Sequence, residues 1–121
     1  MTQLLINRDT GRIVAESVIL ARSPVSLFFG AMVKGIPTGS VLRLTPCNQV
    51  HTFFVPYPLD IVYCDSHGRV LRIDATISPN RLLARTPAAV TVWEARAGSL
   101  APYVTLGAAL LLTTVPTNPQ G

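Results

Sequence analysis

Short runs of β-prone apolar residues, separated by clusters of turn-forming residues, recur along the whole chain. Residues 59–63 are apolar apart from Asp60 and are predicted to form a buried strand. Residues 65–68 follow as a tight turn, and residues 69–77 alternate apolar and polar side chains as the second strand of a hairpin. Many short strands at such spacing predict a mainly β fold, either a small β-sandwich or a barrel-like domain.

Further strands are predicted on both sides of that hairpin. Residues 4–6 and 12–20 are expected to pair with each other around a turn that contains Gly11. The other predicted strands cover residues 41–44, 50–55, 90–94 and 107–115. Pro56 and Pro58 end the run at 50–55, because proline cannot donate a hydrogen bond within a central strand.

One short apolar helix is predicted over about residues 24–34. Ser23 is a typical N-cap, Pro24 suits the first helical position, and Gly35 ends the helix. The segment is apolar on nearly every face, so we expect the sheet to cover it. A second helical turn is predicted near residues 98–103.

Composition favours a single domain with a substantial core. The chain has 121 residues, of which 49% are hydrophobic and only 13% are charged, compared with about 25% charged in an average protein. We expect one domain over residues 1–115 and a disordered tail over residues 116–121. The apolar runs are shorter than the ~20 residues of a membrane-spanning helix.

The expected location is the cytoplasm, without contact with a membrane. Residues 1–9 lack the basic start and the apolar stretch of a signal peptide. The two cysteines, Cys47 and Cys64, fit a reducing compartment and are expected to be separate thiols. A disulfide between them is the less favoured alternative.

The net charge of +4 raises the question of a nucleic-acid partner. The nine arginines and Lys34 are scattered, without the basic runs or interleaved aromatics of a nucleic-acid interface. The densest basic group consists of Arg69, Arg72, Arg81 and Arg85. An ordinary solvated surface explains this group best, while weak association with RNA or another polyanion is an alternative in which Arg81 contacts the anion.

Polar and titratable side chains concentrate in residues 47–54 and 58–65. Buried alone, such groups would be costly, so they must face water, be paired or belong to a site. We expect a recess that binds a small polar ligand or a peptide, because amide and aromatic side chains surround a carboxylate there. The predicted ligand-binding residues are Asn48, His51, Thr52, Phe54 and Asp60. This site requires His51 and Asp60 to share one exposed face.

Two other readings of the same residues remain open. In an enzyme, Cys47 would be the nucleophile, His51 the base and Asp60 the orienting carboxylate, but no oxyanion loop accompanies them. In a metal-dependent enzyme, His51, Asp60 and either cysteine would supply a few ligands. The paired spacing of a structural zinc site is absent, so neither a metal nor a cofactor is expected. In a purely structural role, His51 and Asp60 would hydrogen-bond to each other and join two strands. We favour a non-enzymatic binding domain.

Several of these residues also match a known family. The block at residues 46–54, the Pro-Leu-Asp at 58–60, the turn with Asp65 and Gly68, and the segment at 92–98 resemble domain of unknown function family 192. The resemblance implies a compact, β-rich, sandwich-like fold and supplies no mechanism. Leu27 and Ala108 replace an arginine and an acid of the family pattern, so a site that used those charges would be altered here.

Overall fold

The computed structural model describes residues 2–21, 36–53 and 55–116. Within these ranges the chain forms eight strands and one 3-10 turn at Ala101–Tyr103. The strands are β1 Thr2–Asn7, β2 Arg12–Ala15, β3 Ser17–Ala21, β4 Ser40–Leu44, β5 Leu59–Cys64, β6 Val70–Ile77, β7 Thr91–Arg96 and β8 Leu110–Val115. The predicted helix at 24–34, and residues 117–121 of the predicted tail, lie outside the described residues.

The strands form two sheets, which confirms the predicted mainly β, sandwich-like fold. A three-stranded sheet has the order β2-β1-β8, and a five-stranded sheet has the order β3-β4-β7-β5-β6. All neighbours are antiparallel except β3 and β4, which are parallel. As far as the structure describes the chain, neither sheet closes into a barrel.

The core lies on both faces of the five-stranded sheet. On the inner face, Val62 and Trp93 pack against Leu5 and Leu110 of the three-stranded sheet. On the outer face, Ile61 and other strand residues pack against the segments that connect the strands. All six residues of β5 are buried, which confirms the predicted buried strand and explains why its sequence is nearly continuous in apolar residues.

The predicted strand at residues 12–20 is two strands in different sheets. β2 pairs with β1, whereas β3 pairs with β4 in the five-stranded sheet. The chain changes sheets at Glu16, which is exposed. The hairpin between β1 and β2 is therefore confirmed, but its predicted extension to residue 20 is wrong. Periodicity shows that residues are extended, and it does not show which strand they pair with.

The predicted strand at residues 50–55 is also wrong. Its described residues, 50–53 and 55, have only an isolated bridge, between His51 and Leu82, where the segment meets the irregular connection after β6. Val50 and Val55 are buried because they cover the outer face of the five-stranded sheet. Their apolar character reflects this covering role, since burial in a loop produces the same sequence signal as burial in a strand.

Local turn predictions agree with the structure. Oδ1 of Asp65 accepts the N–H groups of His67 at 2.8 Å and Arg69 at 3.0 Å, which closes the turn between β5 and β6. The predicted helical turn near 98–103 is the 3-10 turn, and both cysteines are free thiols as expected.

In the described part of the chain, no helix is long and apolar enough to cross a bilayer.

Candidate functional site

The described surface around His51 is partly aromatic and partly apolar. The imidazole lies against the ring of Phe53 with a centroid distance of 4.8 Å and a tilt of 35°. Leu82 lies opposite His51 in the isolated bridge and is 64% exposed, and Phe53 is 37% exposed. Arg81 precedes Leu82 and is exposed. We call the residues His51, Phe53, Arg81 and Leu82 the His51 surface.

The protonation state of His51 follows from its environment. Its Nδ1 accepts the N–H of Phe53 at 3.2 Å, so the ring proton of the neutral form lies on Nε2. Partial burial lowers the pKa of His51 below its ordinary value, because desolvation disfavours the charged imidazolium. At neutral pH the His51 surface therefore presents an uncharged ring.

Thr52 holds the backbone beneath the His51 surface. Its side chain is fully buried, and Oγ1 accepts the N–H of Arg81 at 2.9 Å and donates to the carbonyl of Ser78 at 2.8 Å. The N–H of Thr52 donates to the carbonyl of Arg81 at 2.8 Å, and its carbonyl accepts the N–H of Asn80 at 2.9 Å. The predicted ligand-binding role of Thr52 is therefore replaced by a structural one, with its hydroxyl turned away from solvent.

The position of Asp60 differs most clearly from the expected site. The residue lies near the start of β5, between β7 and β6 in the five-stranded sheet, with 0% exposure. Oδ1 accepts the N–H of Thr76 at 2.9 Å. Oδ2 accepts the N–H groups of Gly98 at 2.9 Å, Leu100 at 3.2 Å and Ala101 at 2.9 Å. Four backbone donors fill the acceptor sites of this carboxylate.

The exposed recess expected for His51 and Asp60 is consequently wrong in its geometry. Asp60 faces the protein interior, whereas His51 borders the surface beside the exposed Phe53. The structural alternative is supported for Asp60, but its recorded partners are backbone N–H groups rather than an imidazole. The sequence around His51 and Asp60 cannot reveal these partners of Asp60, because the N–H donors come from segments far along the chain.

The remaining predicted residues are only partly at the surface. Asn48 is half-buried, and its carbonyl accepts the N–H of Thr86 at 2.8 Å. Phe54 lies outside the described residues.

Burial raises the pKa of the Cys47 thiol. A hydrogen bond to Gln49 opposes this increase, and the charge of Glu94 adds to it. A protonated thiol is a weak nucleophile, so the catalytic reading of Cys47 has little support.

The basic group splits into engaged and exposed arginines. Arg72 pairs with Asp74 at 2.8 Å and also donates to the carbonyl of Ala84 at 2.9 Å. Arg69 lies 3.5 Å from Asp9 and donates to the carbonyl of Gly107 at 3.0 Å. Arg81 and Arg85 are exposed. Residues 69–85 therefore do not present four uncommitted cations to a polyanion.

Glu94 is an unusual buried acid in β7. It is buried on the outer face of the five-stranded sheet, opposite Leu42 and Ile61 in the ladder. Burial raises its pKa to about 7, because the low dielectric disfavours the carboxylate. An acid inside a strongly β-prone run is the sequence signal that could have identified it.

No cluster of three or more His, Cys, Asp or Glu suited to a metal occurs within the described ranges.

The fold and the site define a small two-sheet β domain with a partly aromatic surface and a saturated internal carboxylate. The profile of domain of unknown function family 192, described as "Uncharacterized ACR", matches residues 5–109. The chain therefore belongs to this family, as the resemblance in its central block indicated. No match was found among the curated proteins.

Two solved structures share the fold. One is a protein of unknown function from Novosphingobium aromaticivorans, with 18% identity, a TM-score of 0.73, and coverage of 92% of this chain and 84% of that one. The other is described as a "putative transcription regulator" from Sinorhizobium meliloti, with 20% identity, a TM-score of 0.74, and coverage of 92% of each chain. At these identities the similarity establishes the architecture alone.

Proposed function

We propose that the chain is a non-enzymatic binding domain whose His51 surface contacts a protein segment with an apolar anchor and a neighbouring acidic side chain. The observation that carries this proposal is the exposed Leu82 directly opposite the His51–Phe53 ring pair. Aromatic and apolar side chains grouped at a surface are the anchors of many protein interfaces.

The backbone beneath these side chains supports the proposal. The hydrogen bonds of Thr52 fix residues 51–53 against residues 80–82, so the His51 surface is held in place before a partner arrives. Preorganisation of this kind lowers the entropic cost of binding. A small-ligand site built around His51 and Asp60 would instead need the Asp60 carboxylate to be accessible, and Asp60 is buried.

Charge specifies the partner further. The chain carries a net charge of +4, and Arg81 is an exposed cation within the His51 surface. An acidic side chain beside the apolar anchor would meet this guanidinium, which favours the correct orientation and increases the rate of association. We place the domain in the cytoplasm, where the free thiols of Cys47 and Cys64 would stay reduced.

The enzyme and polyanion alternatives have weaker support. The proposed catalytic set loses its orienting group because the Asp60 carboxylate is saturated by backbone N–H groups. Polyanion binding loses two of its four arginines to ion pairs with Asp9 and Asp74.

A random peptide library displayed on phage tests the proposal. Peptides selected on the wild-type protein should contain an apolar residue near an acidic one, and Leu82→Ala should weaken their binding by about tenfold or more, as for an interface anchor. The matched control is Leu106→Ala, because Leu106 is 67% exposed and lies outside the His51 surface. Selection of peptides that bind wild type, Leu82→Ala and Phe53→Ala equally would overturn the proposal.

A further inference from the structure

A cleft of about 510 Å³ lies beside the turn between β5 and β6, away from the His51 surface. Arg43 and Trp93 line it from the five-stranded sheet, Asp65 from the turn, and Leu111 from the three-stranded sheet. A cleft of this volume lies within the ordinary range of small-molecule sites, about 300 to 1,000 Å³. Its lining combines an apolar wall with charges of both signs.

Arg43 supplies the positive charge. It pairs with Trp93 in the ladder between β4 and β7, and its guanidinium carbon lies 5.9 Å from the Trp93 ring centroid. In the described part of the chain, the ion pairs are Arg69 with Asp9 and Arg72 with Asp74, so Arg43 has no carboxylate within 4.0 Å. Its fork of N–H donors is therefore available to a ligand carboxylate.

Asp65 supplies the negative charge at the same cleft. The two N–H groups that close its turn, from His67 and Arg69, both donate to Oδ1. Oδ2 thus keeps its acceptor capacity for a donor in the cleft. Because the turn already fixes Asp65, its carboxylate does not need to be reordered when a ligand binds.

We infer that this cleft binds a small zwitterion of the α-amino-acid class. Arg43 receives the ligand carboxylate, Asp65 receives the ammonium group, and Trp93 and Leu111 contact an apolar side chain. A simple anion would leave Asp65 without a partner and would meet its negative charge, and a simple cation would meet Arg43 in the same way. A ligand that carries both charges satisfies Arg43 and Asp65 together.

Isothermal titration calorimetry with L-phenylalanine, N-acetyl-L-phenylalanine and L-phenylalanine amide tests this assignment. The two derivatives remove one charge each, so both should bind about tenfold or more weakly than the free amino acid, the factor expected for a lost charged hydrogen bond. Arg43→Gln should weaken binding of the free amino acid similarly. Asp65→Asn should do the same while keeping the turn, because asparagine also accepts N–H groups at such positions.

The matched control is Arg12→Gln. The guanidinium of Arg12 also lies 5.9 Å from an aromatic ring centroid, that of Tyr103, but Arg12 does not line the cleft. Its substitution should leave the affinity unchanged. The assignment is overturned if none of the three compounds binds, if the derivatives bind as tightly as the amino acid, or if Arg43→Gln binds like the wild type. None of these outcomes bears on the His51 surface, because Leu82 and Phe53 lie outside the cleft.

Discussion

Oδ2 of Asp60 accepts the N–H of Ala101 at 2.9 Å, which ties β5 of the five-stranded sheet to the first residue of the 3-10 turn. The other oxygen of Asp60 accepts the N–H of Thr76, a residue with a φ of 52°. A side chain other than glycine is strained in that left-handed region. The carboxylate thus stabilises a helical turn and an unfavourable backbone conformation together, which explains an acid inside a buried strand.

Asp60→Asn should therefore lower the stability of the domain, and it should do so without changing a binding surface directly. Asparagine keeps one oxygen, but its NH2 would face backbone N–H donors, so the N–H groups that bonded to the replaced oxygen would lose their acceptor. We expect a loss of about 3 kcal/mol or more in the free energy of unfolding, measured by urea denaturation. The control Asp9→Asn removes an exposed acid and should cost little. Equal stability of the two variants would contradict the structural role of Asp60.

Thr52→Val should loosen the segment below the His51 surface. Valine keeps the volume of threonine and removes the hydroxyl that links Ser78 and Arg81, so the carbonyl of Ser78 and the N–H of Arg81 each lose a partner. We expect a loss of about 1 to 3 kcal/mol in the free energy of unfolding, together with faster hydrogen exchange at the amide of Arg81. Thr10→Val is the control, because the Thr10 hydroxyl makes an exposed hydrogen bond. Unchanged exchange at Arg81 in Thr52→Val would refute this prediction.

Gly68→Ala should be more harmful than alanine at another glycine of similar conformation. Gly68 has a φ of +78°, and a Cβ there would lie 2.5 Å from the carbonyl oxygen of Leu110. That carbonyl belongs to the first residue of β8, whose N–H donates to Gly68 at 2.9 Å. The variant must therefore separate the β5–β6 turn from the three-stranded sheet.

Gly11→Ala isolates the cost of the backbone conformation, because Gly11 has a φ of +73° with nothing within 4 Å of the added Cβ. It should destabilise the domain by about 1 to 2 kcal/mol. Thermal unfolding should show a clearly larger decrease in Tm for Gly68→Ala than for Gly11→Ala. Equal decreases would mean that the turn and β8 can separate at no cost.

Glu94 should make the domain less stable as the pH rises. Its pKa is raised from the ordinary 4.5 to about 7 in the folded protein, so the folded state binds this proton more tightly than the unfolded chain does. The resulting stability is complete below about pH 4.5 and is lost as the pH rises through about 7. The decrease attributable to Glu94 is about 3 kcal/mol, and Glu94→Gln should abolish it.

Urea denaturation of the wild type and Glu94→Gln between pH 4 and 8 measures this difference. The lowered pKa of His51 contributes with the opposite sign as the pH falls below the ordinary histidine pKa of 6.5, but it is common to both proteins and cancels in the comparison. Glu16→Gln is the control, because Glu16 is exposed. A constant stability difference between wild type and Glu94→Gln across this range would disprove the link to Glu94.

The sequence by itself determined the features that depend on neighbouring residues. The nearly unbroken apolar run around Ile61 indicated a buried strand, and Asp65 with Gly68 indicated the turn that follows it. Both are local: periodicity depends on burial, and the turn depends on a side chain that accepts N–H groups within four residues. The central block of residues 46–68 also indicated the family that the match over residues 5–109 shows.

Only the tertiary structure decided which surfaces and interiors these elements create. Asp60 has the same identity whether it faces solvent or four backbone N–H groups, and three of those groups come from residues about 40 positions further along the chain. Similarly, the cleft beside Arg43 depends on Asp65 and Leu111, which meet only when the two sheets pack. Strand alternation assigns a side chain to a face, but the packing of distant segments decides whether that face is covered, because burial is a property of the whole fold.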